Sequence, residues 1–384
     1  MIEEINGVVK LTIYHWLVIL LVVFALLFRG WQKGSKRFIL IAFVLMFCIH
    51  GLRDNATIGN DSRTSYRWEF YSMEGKSWDS LGGIRDWMHF GQEGEDLSGR
   101  DRNFGTKWLM KAVYDLTDGD YQWFLVAVAV IILGSESVLI LKYSPSPLQS
   151  VLYYLGLLYF SFHMSGTKQT LAMSLVILSF MAIVDRKPVR FVILVLCASF
   201  FHFPALVFLP AYWVANMKLE RGYLIFLSGL LILTYLFRDR LISLMTEAYY
   251  SSEMATTSQL RFLANKVIIM LIIIVAALVI RPPRENDRLY RVLLHLMGIA
   301  AVIQTFAGYS NVFERLADYY FQFAVIFIPM VFEGVRTERR YLDTATTQLV
   351  CSFGPYIFGS FAIWRFLDTI TSDGHFVPFR FFFQ

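Results

Sequence analysis

Apolar residues fall in long unbroken runs separated by short polar stretches. About twelve such runs can be marked, at 11–28, 37–52, 122–141, 148–163, 169–184, 189–202, 203–216, 222–237, 266–280, 290–309, 319–335 and 346–366. A helix crossing a bilayer takes roughly 20 apolar residues, fewer where the membrane is thin. The pattern therefore predicts an all-α polytopic membrane protein with about twelve membrane segments. A transmembrane β-barrel would alternate apolar with polar residues, which these runs do not do. One stretch is too short for two full crossings. Segment 189–216 has basic residues at both ends and must go out and return within 28 residues, whereas two spans take roughly 40. A short hairpin is predicted, bent at His202 and Pro204. Irregular backbone at that depth needs protein or a wet cavity around it, so a cavity open to the outside is expected near His202.

The polar stretches set the orientation. Arg29, Lys33, Lys36 and Arg37 fill the first loop; Lys142, then Arg186, Lys187 and Arg190, then Lys218 and Arg221, then Arg281, Arg284, Arg288 and Arg291, and finally Arg336, Arg339 and Arg340 recur at every second one. Basic loops mark the cytoplasmic side, which puts both termini outside the cell membrane. Segment 53–120 is then an extracytoplasmic loop, and its 13 acids outnumber its 9 bases. Within it Trp78, Leu81, Ile84, Arg85, Trp87, Met88 and Phe90 form an aromatic-rich patch suited to the membrane interface. The first run follows two glutamates and ends without a small-residue cleavage site, so it reads as a retained helix. Without an internal repeat or low-complexity run, residues 1–384 read as one transmembrane domain.

Composition agrees. The chain is 56% hydrophobic and 17% charged, against about 25% charged in an ordinary soluble protein. Basic cytoplasmic loops account for the net charge of +5 without a nucleic-acid partner. Cys48, Cys197 and Cys351 all lie in apolar runs, which argues against a disulfide framework. Zinc-protease and nucleophile-elbow motifs and a Cys/His metal cluster are absent, so no metal or cofactor is predicted. Gly75-Lys76-Ser77 echoes the end of a phosphate-binding loop, but Phe70 stands where its first glycine belongs. Asp118-Gly119-Asp120 resembles the metal-holding DxD of soluble glycosyltransferases; it reads better as a turn in which Asp120 caps the helix starting at Tyr121.

The remaining polar residues collect at the outer ends of the runs. Arg53, Asp61, Arg63 and Tyr66 follow the second run; His163, Lys168 and Gln169 join the fourth and fifth; His202 marks the hairpin bend; Arg261 precedes the ninth run; Glu314, Arg315 and Asp318 lead into the eleventh. Any one of them is equally well explained as a helix cap or a side chain reaching for the headgroups. Together, drawn from five places onto one face, they read as a site for a lipid-linked anion, because ionisable groups at membrane depth are costly.

Four stretches carry a family resemblance. GLRDNATIGNDSRTSY (51–66), GTKQTLAM (166–173), VRFVILVLCASFFHFPALVFLPAYW (189–213) and FERLADYYF (313–321) resemble, in order and spacing, motifs of EpsG-type bacterial polysaccharide polymerases, relatives of the Wzy polymerases. The likeness runs over roughly 40–335, with one departure: Lys168 stands where the family has arginine, which keeps the charge but loses the bidentate fork. The resemblance implies a GT-C-like glycosyltransferase in the bacterial plasma membrane. Its expected substrate and partner is an undecaprenyl-diphosphate-linked oligosaccharide, within membrane lipid and with a chain-length regulator as a possible protein partner. A sugar hydroxyl of one lipid-linked unit would displace the lipid diphosphate of another, without a metal. Arg53, Arg63, Lys168, Arg261 and Arg315 would stabilise the leaving diphosphate, Asp61 or His202 would act as base, and Tyr66, His163, Gln169 and Glu314 would contact substrate. A ligase like that of O-antigen, or a flippase of lipid-linked oligosaccharide, are the alternative readings.

Overall fold

The computed structural model describes residues 11–88, 103–218, 225, 227–237, 240, 260–279, 287–307, 311–337 and 344–384, with backbone alone at 260–265, 279, 287, 311, 335–337 and 344–352. Among the described residues the architecture is helical, with a single isolated bridge between Arg53 and Phe381. The helices are α1 (Ile13–Leu27), α2 (Lys36–Gly51), α3 (Asn60–Arg63), α4 (Ser65–Tyr71), α5 (Ile84–Met88), α6 (Phe104–Leu116), α7 (Tyr121–Tyr143), α8 (Pro147–Gly156), α9 (Tyr159–Ser165), α10 (Thr167–Val184), α11 (Pro188–Phe201) and α12 (Ala211–Ala215). They continue with α13 (Leu227–Phe237), α14 (Leu260–Val279), α15 (Asp287–Gln304), α16 (Asn311–Phe321), α17 (Ala324–Thr337) and α18 (Thr344–Ser372).

Two of the described helices, α7 and α10, are by themselves long and apolar enough to cross a membrane. Val312–Phe321 and Ala324–Gly334 add a third if taken as one span bent by 48°. Several shorter apolar helices accompany them, among them α1, α11 and Lys266–Leu278. This is the make-up of a polytopic membrane protein, although the twelve separate crossings expected from the runs are not established by it. The fourth expected run is interrupted. It ends as α8 at Gly156, passes through Leu158 with φ 68°, and resumes as α9. At the expected hairpin, α11 stops at Phe201 and a 3-10 turn (Phe203–Phe208) follows His202. Proline accounts for the stop, since Pro204 has no N–H to continue the α-helical hydrogen-bond ladder.

By contact the chain groups into two compact units: Met1–Ser179 with Ile193–Leu206 and Phe353–Gln384, and Phe180–Val192 with Val207–Ser352. The first has a core around Phe70, Met73, Leu81, Met110, Tyr121, Phe124 and Ile132. Residues 66–81 and 109–114 contribute heavily to it, so these parts of segment 53–120 are folded into the unit. At one end of this unit the Gly30 carbonyl accepts from Leu148 N at 2.8 Å, bringing the first two basic loops together. The opposite end gathers the start of α1, the 52–62 segment, the start of α7 and the C-terminal residues. Exposed Trp68, Trp78, Ile84, Met88 and Trp108 decorate α4 to α6 and the turn between them; Phe90, the last member of the expected patch, lies outside the described residues.

In the second unit Phe180 stacks on Phe323 at 4.4 Å, and Phe208 packs on Tyr320 at 4.9 Å. Arg288 donates to the Ile183 carbonyl at 3.0 Å and to Asn216 Oδ1 at 3.2 Å, so its basic loops also share one end.

Candidate functional site

The site is built on helix ends. α2 finishes at Gly51 and leaves carbonyls without intrahelical donors. Arg53 satisfies one of them: Nη1 donates to the His50 carbonyl and lies 3.1 Å from His50 Nδ1. Its Nη2 reaches across to the Met164 carbonyl in α9 at 3.0 Å. One guanidinium thus stitches the ends of α2 and α9, and it is fully buried. Burial pushes its pKa down to about 10, opposed by the nearby Tyr121 and Tyr14, so Arg53 remains a cation at neutral pH. Its partners are the His50 and Met164 carbonyls and the His50 imidazole, and among the described residues no carboxylate bonds to it.

The next turn locks onto the same helix. Gly59 has φ 89°, and a Cβ there would overlap the Ser62 hydroxyl and stand 2.9 Å from the Met164 carbonyl, so only glycine fits. Asn60 N donates to Ser165 Oγ at 3.2 Å. Tyr121 Oη donates to the Ser62 carbonyl at 2.6 Å, and Gln122 Nε2 to the Gly51 carbonyl at 2.7 Å. Asp120 Oδ1 accepts from Gln122 N at 2.9 Å, the cap that the sequence predicts. On α3 the half-buried Asp61 and Arg63 stand two residues apart. Among the described residues no hydrogen bond or ion pair engages the Asp61 carboxylate, and Arg63 Nε is buried without an acceptor.

α10 begins just beyond Gly166. Its Lys168 pairs with Glu69 of α4 at 2.7 Å and lies 5.6 Å over the Tyr66 ring. Gln169 is buried, with Nε2 4.0 Å from Met173 Sδ. His163 is buried in α9, and its Nδ1 meets Tyr154 Oη at 2.8 Å. The structure therefore brings Arg53, Asp61, Arg63, Tyr66, His163, Lys168 and Gln169 onto the segments that converge on α9 and its junction with α10.

His202 belongs to the same unit and sits at the end of α11, beside Phe203, whose N–H donates to Asn103 Oδ1 at 3.1 Å. Arg261, Glu314 and Arg315 belong to the other unit. There Glu314 pairs with Lys266 at 3.1 Å, Asp318 pairs with the same ammonium at 2.6 Å, and Arg315 is exposed. Arg261 lies in the first turn of α14, and its side chain is outside the described residues.

Four participants escape a reading of the sequence: Glu69, Lys266, Tyr154 and the C-terminal segment. Glu69 and Tyr66 are three apart on one helix, a spacing that puts both on one face, and this is the available signal. The C-terminal segment gives none. His375 O accepts from Gly59 N at 2.9 Å, Arg380 O from Asp54 N at 2.9 Å, and Leu52 O from Phe382 N at 3.1 Å. This strap runs along the whole 52–59 segment that carries Arg53.

Among the described residues there is no group of three or more His, Cys, Asp or Glu side chains arranged to hold a metal ion. Comparison with curated proteins and with solved structures gave no match to the chain. A model of the EpsG family, by contrast, matches residues 36–369, most of the chain, and the protein therefore belongs to the EpsG family.

Proposed function

We propose that this protein is a membrane-embedded polysaccharide polymerase of the bacterial plasma membrane. It transfers a glycan from undecaprenyl diphosphate to a sugar hydroxyl of another lipid-linked repeat unit, at the outer face. A GT-C-like arrangement of about twelve membrane segments, with segment 53–120 and both termini on that face, is part of the reading. The observation that carries it is that the two stretches most like the family's motifs meet: Gly51–Tyr66 docks on α9 through Arg53, Gly59 and Asn60, and its Tyr66 ring lies under Lys168 of Gly166–Met173.

The chemistry follows from the charges. As the bond between the anomeric carbon and the diphosphate oxygen breaks, negative charge builds on the diphosphate. Fixed cations there lower the barrier by about 2.7–4 kcal/mol for each well-placed donor. Arg63 supplies the half-buried guanidinium, Lys168 an ammonium shared with Glu69, and Arg53 an uncompensated charge beneath the 52–59 backbone. Arg53 acts here chiefly by holding the α2 and α9 ends in place. The acceptor hydroxyl loses its proton as the new glycosidic bond forms, and the unpaired Asp61 carboxylate is the base of choice. Tyr66 and Gln169 orient sugar hydroxyls, and the exposed tryptophans of α4 to α6 keep this shelf at the membrane interface. On the family resemblance alone Arg261 and Arg315 remain candidates for the diphosphate and Glu314 for substrate contact, and His202 is the second candidate base.

The test is polymerisation of the cognate lipid-diphosphate repeat by purified protein, with EDTA present, read as a gel ladder. Wild type is expected to give a ladder, and Asp61→Asn and Arg63→Gln to lose it while keeping normal expression and thermal stability. Full ladders from both variants would sink these roles. Single transfer to an added acceptor would make the protein a ligase, and lipid movement between leaflets without glycan transfer would make it a flippase.

A further inference from the structure

His163 and Tyr154 touch where an ordinary helix would keep them apart. They are nine residues apart, and in an unbroken α-helix that spacing means roughly 13.5 Å along the axis. Here Tyr154 Oη and His163 Nδ1 are 2.8 Å apart. The contact exists because the chain breaks between α8 and α9, with Leu158 at φ 68°, a conformation that non-glycine residues adopt under strain. The same short α9 offers its Met164 carbonyl to Arg53 and its Ser165 hydroxyl to Asn60, so the break also sets the geometry of the site.

Hydrogen-bond counting assigns the proton. Both side chains are buried, and among the described residues the Tyr154 hydroxyl has this one partner. If Nδ1–H were the donor, both the tyrosine proton and the Nε2 lone pair would be buried without partners, whereas with tyrosine as donor only Nε2–H is left over. Tyr154 therefore donates to Nδ1, and a neutral His163 carries its own proton on Nε2. Nε2 is buried and has no acceptor among the described residues. Other ionisable groups surround the pair. Glu136 of α7, itself buried with Oε2 unpartnered, is an electrostatic neighbour of Tyr154, and His50 and Arg53 stand on the His163 side.

Building on the function proposed above, we propose that Tyr154 is a positioning residue that fixes His163 as an Nε2–H donor to a prenyl-diphosphate oxygen. The Tyr154–His163 pair thus adds a neutral, directed donor to the cations of the site. Directed donors serve charge that develops during the reaction.

The first measurement is independent of turnover: 15N NMR of histidine-labelled full-length protein in lipid nanodiscs, with His163 assigned by its loss in His163→Gln. Protonation at Nε2, disturbed in Tyr154→Phe, and a shift of the Nε2 signal on adding farnesyl diphosphate are expected. An Nδ1–H tautomer, or no response to saturating farnesyl diphosphate, overturns the proposal. The second is the ladder assay. Tyr154→Phe is expected to lower kcat about tenfold with KM little changed, a loss confined to the transition state. His163→Gln, which keeps an N–H near the Nε2 position, should retain more activity than His163→Asn; equal loss in both overturns the directed-donor role. A wild type that binds farnesyl diphosphate through His163 but makes no glycan would defeat the polymerase reading and leave the tyrosine–histidine assignment standing.

Discussion

Arg53 in the first unit is a fully buried cation and Lys266 in the second a largely buried one, and they are partnered in opposite ways. Lys266 lies between two carboxylates, Glu314 and Asp318, leaving a net negative cluster. Arg53 is held through Nη1 and Nη2 by the His50 and Met164 carbonyls, whose dipoles do not cancel its charge, and its Nε is buried without an acceptor among the described residues. A cation paired with acids is a structural tie. A cation paired with carbonyls still projects a positive field, which is what a diphosphate site requires. The Arg53 arrangement is also costlier to maintain, because a buried charge without a counter-ion is destabilising, and this cost favours reading the Arg53 region as functional.

Substitutions can break or sharpen this contrast. The largest effect is expected from Arg53→Met, which removes two charge-assisted hydrogen bonds to buried carbonyls. A loss of roughly 3 kcal/mol is expected in thermal or denaturant unfolding, together with loss of polymer. No second substitution can repair it, because the orphaned acceptors belong to the backbone. Lys266→Met should cost about 2 kcal/mol, less than a fully buried pair because the cluster keeps some solvent contact. Here Glu314→Gln and Asp318→Asn added to Lys266→Met should recover most of the stability. A triple variant no better than the single one would end the contrast. Gly59→Ala should cost about 1–2 kcal/mol through its positive φ and the crowding at Met164, and it should weaken polymerisation more than its stability loss explains. Asp120→Ala removes only a helix cap, and about 1 kcal/mol in unfolding with polymerisation intact is expected.

Much of this arrangement is legible in the sequence for physical reasons. The apolar runs that form α1, α2, α7 and α10 announce themselves through length and hydropathy alone, and the Asp120 cap follows from its place before the α7 run. Gly59, Asp61 and Lys168 stand out as polar or flexible residues at the ends of apolar runs. What stays hidden lies inside uniform stretches or depends on distant partners. The break at Leu158 falls in a continuous apolar run with only Gly156 to hint at it, so periodicity does not find it. Glu136 and Tyr154 are masked by the same uniformity. α6, an amphipathic helix in segment 53–120, reads as loop in the sequence because charged residues and glycines dominate the stretch before it. The sequence presents Arg53 as a residue facing a ligand; its bonds to His50 and Met164 depend on how α2 and α9 end, which one-dimensional spacing does not encode.

The strap along residues 52–59 has a consequence for the order in which the protein matures. Tyr14, near the start of α1, donates to the Phe376 carbonyl 362 residues later in the chain, and Gly59 and Asp54 take their partners from His375 and Arg380. Helices α1 and α2 leave the ribosome early and can enter the membrane long before those partners are made. Until residues 375–382 have been synthesised, the Arg53 segment lacks the backbone partners that cover it. The segment that carries the motif is thus completed by a stretch translated long after it, and activity is expected to appear only after synthesis has passed that point.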